Sequence, residues 1–118
     1  MANQIDPILS ALADPTRRQV IDLLKDRPMR AGELADAFPI SSPALSRHLK
    51  VLRQAGLIEE QRQQQDNRIR VFQLRQDSFR TLNDWLIEVE TFWQDQLGSF
   101  KAQAEATFKS QFESDDHP

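Results

Sequence analysis

The chain has 118 residues, a length that fits one domain with a thin core. Cysteine is absent, which excludes disulfides and thiolate chemistry, and no run reaches the roughly 18–20 apolar residues of a membrane span. The N-terminus has no apolar run of signal-peptide type, so a cytoplasmic location is expected. The formal charge of −3 is unevenly spread: residues 1–75 hold 12 lysines and arginines against 9 carboxylates, and residues 76–118 hold 3 against 9. The first part can meet an anion while the second stays clear of one.

In chain order, Ile5, Ile8, Leu9 and Leu12 recur at helical spacing and predict a short helix over residues 5–12. A second helix follows in "ADPTRRQVIDLLKD", where Asp14 suits the N-cap and Pro15 the first helical position. Residues 30–38, "RAGELADAF", predict a third helix, which Pro39 stops by disfavouring helical geometry at Phe38. Ser41 or Ser42 can cap a fourth helix with Pro43 in its first turn, Leu45, Leu49 and Leu52 on its buried face, and Gly56 as its stop. Runs at 57–63 and 68–75 predict a β-hairpin turning through "QQDN", where Asp and Asn tolerate left-handed geometry. From residue 77, Phe79, Leu82, Leu86, Val89, Trp93, Leu97 and Phe100 form a nearly heptad seam on a long helix, widened by Trp85 and Phe92. Residues 1–112 are expected to be one domain, and 113–118 a disordered tail.

The third and fourth helices, joined by a tight turn, have the form of a helix-turn-helix, whose second helix lies in the DNA major groove. Opposite the buried leucines, the fourth helix presents Pro43, Ser46, Arg47, Lys50 and Gln54. Ser46 can bond a base edge or phosphate, and Arg47 can make the bidentate contact to guanine. The helix N-terminus at Ser41 and Ser42 can hold a phosphate. In the adjacent hairpin, Arg62, Arg68 and Arg70 can reach the backbone or a minor groove, and Arg17 and Arg18 are further phosphate candidates. Arg68 and Arg70 could instead merely decorate an edge strand. His48, at the border of the buried face, reads as a packed or hydrogen-bonding histidine rather than a ligand. The aromatic seam reads as core or dimer interface rather than ligand pocket.

"LADPTRRQVIDLL", "GELADAFPISSPALSRHLKVLRQAGLI" and "RIRVFQL" resemble the arsenic-repressor (ArsR) family of winged-helix repressors, from about Leu9 to Leu74. The segment "DWLIEVETFWQDQLGSFKAQAEA" resembles the last helix of a branch without metal ligands. The resemblance implies a mainly α winged helix-turn-helix with a small β-hairpin, in the order α-α-α-α-β-β-α. It implies a homodimer packed through the first and last helices, with base-reading residues at Ser42, Pro43, Ser46 and Arg47. The family's metal-binding cysteines and histidines are missing, since the matching segments carry Ala35 and Ala37 and, on the last helix, no histidine. Its usual wing glycine is missing too.

These readings predict a DNA-binding regulator, a repressor acting as a homodimer on an inverted repeat, with no metal and no cofactor. The expected dimer residues are Ile5, Ile8, Leu9, Leu82, Trp85, Leu86, Val89 and Trp93. The signal is either protein level alone or a small apolar effector entering beside Trp85 and Phe92. A protein-interaction module with little specific DNA binding is the rival. An enzyme is disfavoured, because no Gly-rich phosphate loop or nucleophile–base pairing is present.

Overall fold

The computed structural model describes residues 4–115, with side chains described through residue 109. Its elements are α1 (Ile5–Leu12), α2 (Pro15–Asp26), β1 (Met29–Arg30), α3 (Ala31–Ala37), α4 (Ser42–Gln54), β2 (Ile58–Arg62), β3 (Arg70–Leu74) and α5 (Gln76–Asp115). The expected order gains one strand. β1 is two residues long, too short for any periodicity, and exists through its pairing of Met29 with Phe72 and Arg30 with Val71. The hairpin thereby becomes a three-stranded antiparallel sheet in the order β1-β3-β2. The helix continues to Asp115, so only residues 116–118 of the expected disordered tail lie outside the described residues.

The chain forms two compact units, one ending at Asn83 and the other beginning at Asp84. In the first, Val20, Leu34, Leu45, Leu52, Leu57 and Phe72 are buried together, and Phe79 and Leu82 pack against them. Ile5 and Ile8, expected at a two-fold interface, are instead 5% and 2% exposed, already buried within the protomer. An eight-residue helix is not stable alone, so α1 needs this packing. In the second unit, Trp85, Leu86, Phe92, Trp93, Leu97 and Phe100 are exposed along the helix. Phe92 and Trp93 meet edge to face with centroids 5.6 Å apart.

The local caps follow the sequence. Asp14 Oδ1 accepts from the Thr16 and Arg17 amides at 2.8 and 3.2 Å, with Pro15 opening α2. Just past the C-terminal end of α4, Gly56 has φ +72°. Its amide donates to Arg53 O, and Leu57 N donates to Leu52 O, both at 3.0 Å. This pair of bonds satisfies the last carbonyls of α4, with Leu57 and Leu52 both buried beside it. A Cβ at Gly56 would lie 2.5 Å from Ser78 Oγ, which donates to Ala55 O at 2.9 Å. Gly56→Ala is therefore expected to cost about 1–2 kcal/mol for left-handed backbone alone, and more if Ser78 rotates and abandons its bond. A thermal melt checks this: at about 4–8 °C per kcal/mol the loss is easily seen, and an unchanged midpoint would contradict it.

Candidate nucleic-acid interface

The exposed face of α4 is built from its cap outward. Ser41 is extended, and its Oγ accepts from Ala44 N at 3.3 Å. Pro43 has no amide hydrogen, and Leu45 N donates to Ser41 O at 3.0 Å. At this helix end the Ser41 and Ser42 amides remain without a bond among the described residues. The expected phosphate cradle at Ser41 and Ser42 is thus confined to these two amides, because the cap bond and the proline account for the next two positions. With Leu45, Leu49 and Leu52 buried, Ser42, Pro43, Ser46, Arg47, Lys50 and Gln54 are all exposed. Arg47 and Lys50 make no ion pair or hydrogen bond among the described residues.

The arginines of the hairpin are placed differently. Arg70 donates to both Glu60 oxygens, Nε at 2.6 Å and Nη2 at 3.1 Å, and lies 5.3 Å from the centroid of the Phe72 ring. Arg53 Nη1 joins from α4 at 2.6 Å, so Glu60, 13% exposed, is clamped between two guanidiniums. Such a bidentate pair holds Arg70 to the sheet rather than to an outside anion. Arg62, directly opposite Arg70 in the register, turns its Nη1 to Asn67 O at 2.7 Å. Arg68 is 91% exposed and pairs with Asp66 through Nε at 3.1 Å and Nη2 at 3.3 Å. Arg62 and Arg70 form the last pair before the hairpin loop, and Arg68 lies within the loop.

That tip turns without glycine and, among the described residues, without any non-glycine at positive φ. Asp66 replaces the expected left-handed geometry: its Oδ1 accepts from Arg68 N at 3.0 Å, and its carbonyl accepts from Ile69 N at 3.0 Å. An aspartate folded onto the backbone two residues on is an Asx-turn.

The hydrogen bonds from Arg70 hold the Glu60 carboxyl below the usual carboxylate range, against the opposing effect of desolvation. A depressed folded value means that the clamp stabilises fully above the unfolded glutamate range and is lost as pH falls through the depressed one. Denaturant titrations between pH 7 and pH 3 are expected to show wild type losing stability on acidification, and Glu60→Gln losing less. Parallel curves would contradict this.

Arg17 and Arg18, expected as phosphate candidates, face the chain instead. α1 has no basic residue in its last turn. Arg17 Nε donates to Ala11 O at 2.6 Å and Nη2 to Ser10 O at 3.2 Å, and Arg18 Nη1 donates to Leu12 O at 2.7 Å. The last carbonyls carry the negative end of a helix, and two guanidiniums from α2 supply the positive charge that α1 lacks there. Arg17 Nη1 also donates to His48 Nδ1 at 3.2 Å, which makes His48 the hydrogen-bonding histidine expected. Among the described residues no group of three or more His, Cys, Asp or Glu could hold a metal ion.

Residues 14–60 match the family described as "Bacterial regulatory protein, arsR family". The solved structure of ArsR family transcriptional regulator RHA00566 superposes at a TM-score of 0.71 with 32% identity, covering 80% of this chain and 94% of that one. The chain belongs to the ArsR family. The transcriptional repressor SdpR of Bacillus subtilis (strain 168) is 47% identical over 58 residues, 49% of this chain and 64% of SdpR, so the match spans less than two thirds of that relative. A solution structure of the homodimeric winged helix-turn-helix DNA-binding domain of Mb0332 from Mycobacterium bovis has the same fold, at a TM-score of 0.58 and 22% identity over 75% of this chain and 82% of that one. In this ArsR-family chain α3 and α4 are the helix-turn-helix, and β2 and β3 form the wing. The family match ends at residue 60, ahead of β3, the wing tip and all of α5.

Proposed function

We propose that this ArsR-family chain is a sequence-specific transcriptional repressor that binds an inverted-repeat operator as a homodimer in the cytoplasm. The observation that carries the reading is the contrast among its cations. Arg17, Arg18, Arg53 and Arg70 bond within the chain, whereas Arg47 and Lys50 stand exposed and unbonded among the described residues, beside Ser42, Pro43 and Ser46. Side chains that reach base edges must be free, and short neighbours allow the helix to approach them. Arg62 and Arg68 at the wing tip supply phosphate contacts. Two copies would set their α4 helices about 34–36 Å apart, in successive major grooves. Residues 1–112 act as one functional domain in this reading, with Leu9, Leu82, Trp85, Leu86, Val89 and Trp93 at the two-fold. Selection from a random-sequence duplex pool tests it: an enriched inverted repeat with half-sites one turn apart supports it, and no enrichment overturns it.

The exposed seam of α5 favours a second reading, a protein-interaction module. Salt-dependent, sequence-specific DNA binding separates the two, since a module without DNA readout would show neither.

Metal is not the signal in this proposal. Thiolates are absent from the sequence, and Asp84, Glu88 and Asp95 share one exposed side of α5 without a histidine. A switch needs a ligand with different affinity for two conformations. Zinc, cadmium, arsenite and chelators are expected to leave operator affinity within about threefold at fixed ionic strength. A tenfold loss on stoichiometric zinc binding, about 1.4 kcal/mol of coupling, would refute this. The signal is protein level or a small apolar effector beside Trp85 and Phe92.

A further inference from the structure

We propose that Arg17 and His48 position the recognition helix: the Arg17 guanidinium, anchored on the last carbonyls of α1, holds the His48 ring and so fixes how α4 sits against α1. Neither residue touches DNA. This rests on the DNA-binding reading above.

Arg17 is held at both ends. Its amide donates to the N-cap carboxylate of Asp14 at 3.2 Å. Its Nε and Nη2 donate to Ala11 O and Ser10 O, and its remaining arm reaches His48, 31 residues away in sequence. One planar group thereby bridges α1, α2 and α4. A guanidinium can do this because its five hydrogens point in fixed, diverging directions, whereas an ammonium has three donors at a single point.

His48 occupies the place on α4 where such a strut matters. It lies between Arg47, which is exposed, and Leu49, which is buried, so it forms the flank joining the groove-facing side to the core. A small rotation of α4 about its axis would move Arg47 relative to any base edge, and the leucines of the opposite face resist such rotation only by packing. The Arg17 bond resists it by direction as well. A guanidinium only donates, so His48 Nδ1 accepts, and the ring proton resides on Nε2. The Asp14 carboxylate sits at the base of the strut, where its Oδ1 accepts from the Arg17 amide.

The test has an arm without DNA and an arm with it. In free protein, imidazole nitrogen shifts are expected to report Nδ1 as an acceptor and Nε2 as protonated, and Arg17→Ala should change them. Shifts that do not respond would overturn the link. With the duplex enriched by wild type, Arg17→Ala and His48→Leu are each expected to weaken binding about tenfold, the scale of one hydrogen bond to a charged group. The double variant should be no weaker than either single one. The slope of affinity against salt should stay at the wild-type value, because no phosphate contact is lost. His48→Asn, whose Oδ1 can stand where Nδ1 accepts, should bind near wild type, and thermal melts establish that each variant is folded. A slope reduced by about 0.9 in Arg17→Ala would place Arg17 on a phosphate and overturn the proposal. Additive losses would overturn it too. If wild type enriches no duplex, the DNA-binding reading fails and takes this one with it, while the nitrogen shifts still show whether the link exists.

Discussion

Trp93→Glu is expected to convert the protein to monomers or insoluble chains and to abolish operator binding. Trp93 is 57% exposed, and Leu86, Leu97 and Phe100 beside it are 48%, 62% and 71% exposed. At about 3.6 residues per turn these four and Val89 lie along one side of α5. Asp84, Glu88 and Asp95 lie on the opposite side. Such a contiguous apolar strip on a small protein marks an interaction surface. A second copy fits it, because a two-fold contact brings the same strip to both sides. The same symmetry places each substitution at the interface twice, so glutamate at position 93 buries two like charges, and isolated buried charge is among the costliest changes available. Operator binding falls with it, since one half-site contact does not supply the affinity of two linked ones. Sedimentation checks the assembly, and Asp95→Ala, on the far side of the helix, is the control that should remain dimeric. A wild type that sediments as a folded monomer would sink the interface and leave the strip to a different partner.

Most of the fold was legible because its signals are local. Asp14 with Pro15, Ser41 with Pro43, and Gly56 announce three helix ends, and each is where the geometry requires it. What escaped depends on residues far apart in sequence. β1 is defined only by a neighbour more than forty residues on, and no two-residue stretch can show alternation. The apolar face of α1 was visible but not what it faces, so Ile5 and Ile8 read as interface although they belong to the protomer's own core. The basic residues misled for a related reason. A sequence shows how many arginines a segment has, not which are already bonded. Arg17 and Arg18 could have been read correctly from an α1 with no basic residue in its last turn, followed after two residues by a helix whose third and fourth residues are arginines. Glu60 and Arg70 become a pair only once the register sets Arg62 opposite Arg70, leaving Glu60 on the diagonal. Where the wing glycine is missing, Asp66 turns the chain by accepting the Arg68 amide.

Arg47→Ala is expected to weaken operator binding by about 1–3 kcal/mol and to relax preference at one base position. That range is about 5–150-fold in affinity. Its basis is subtraction: once Arg53 and Arg70 are assigned to Glu60, and Arg17 and Arg18 to the end of α1, Arg47 is the arginine of the helix-turn-helix face with no bond among the described residues. It follows Ser46 and Pro43 along the exposed side of α4, so its fork emerges where short neighbours let the helix approach a base pair. A guanidinium at that position can donate twice to guanine O6 and N7, and no other natural side chain reproduces the planar fork, so Arg47→Lys should recover only part of the loss. Arg68→Ala gives the contrast. Arg68 shares its charge with Asp66 in the hairpin loop and is proposed as a phosphate contact, so its loss should weaken all sequences evenly and flatten the salt slope. Binding measured against every single-base variant of the selected duplex distinguishes the two. If Arg47→Ala lowers affinity equally for all of them, Arg47 is a phosphate contact and sequence is read elsewhere on α4. If it lowers affinity for none, the recognition-helix assignment is wrong.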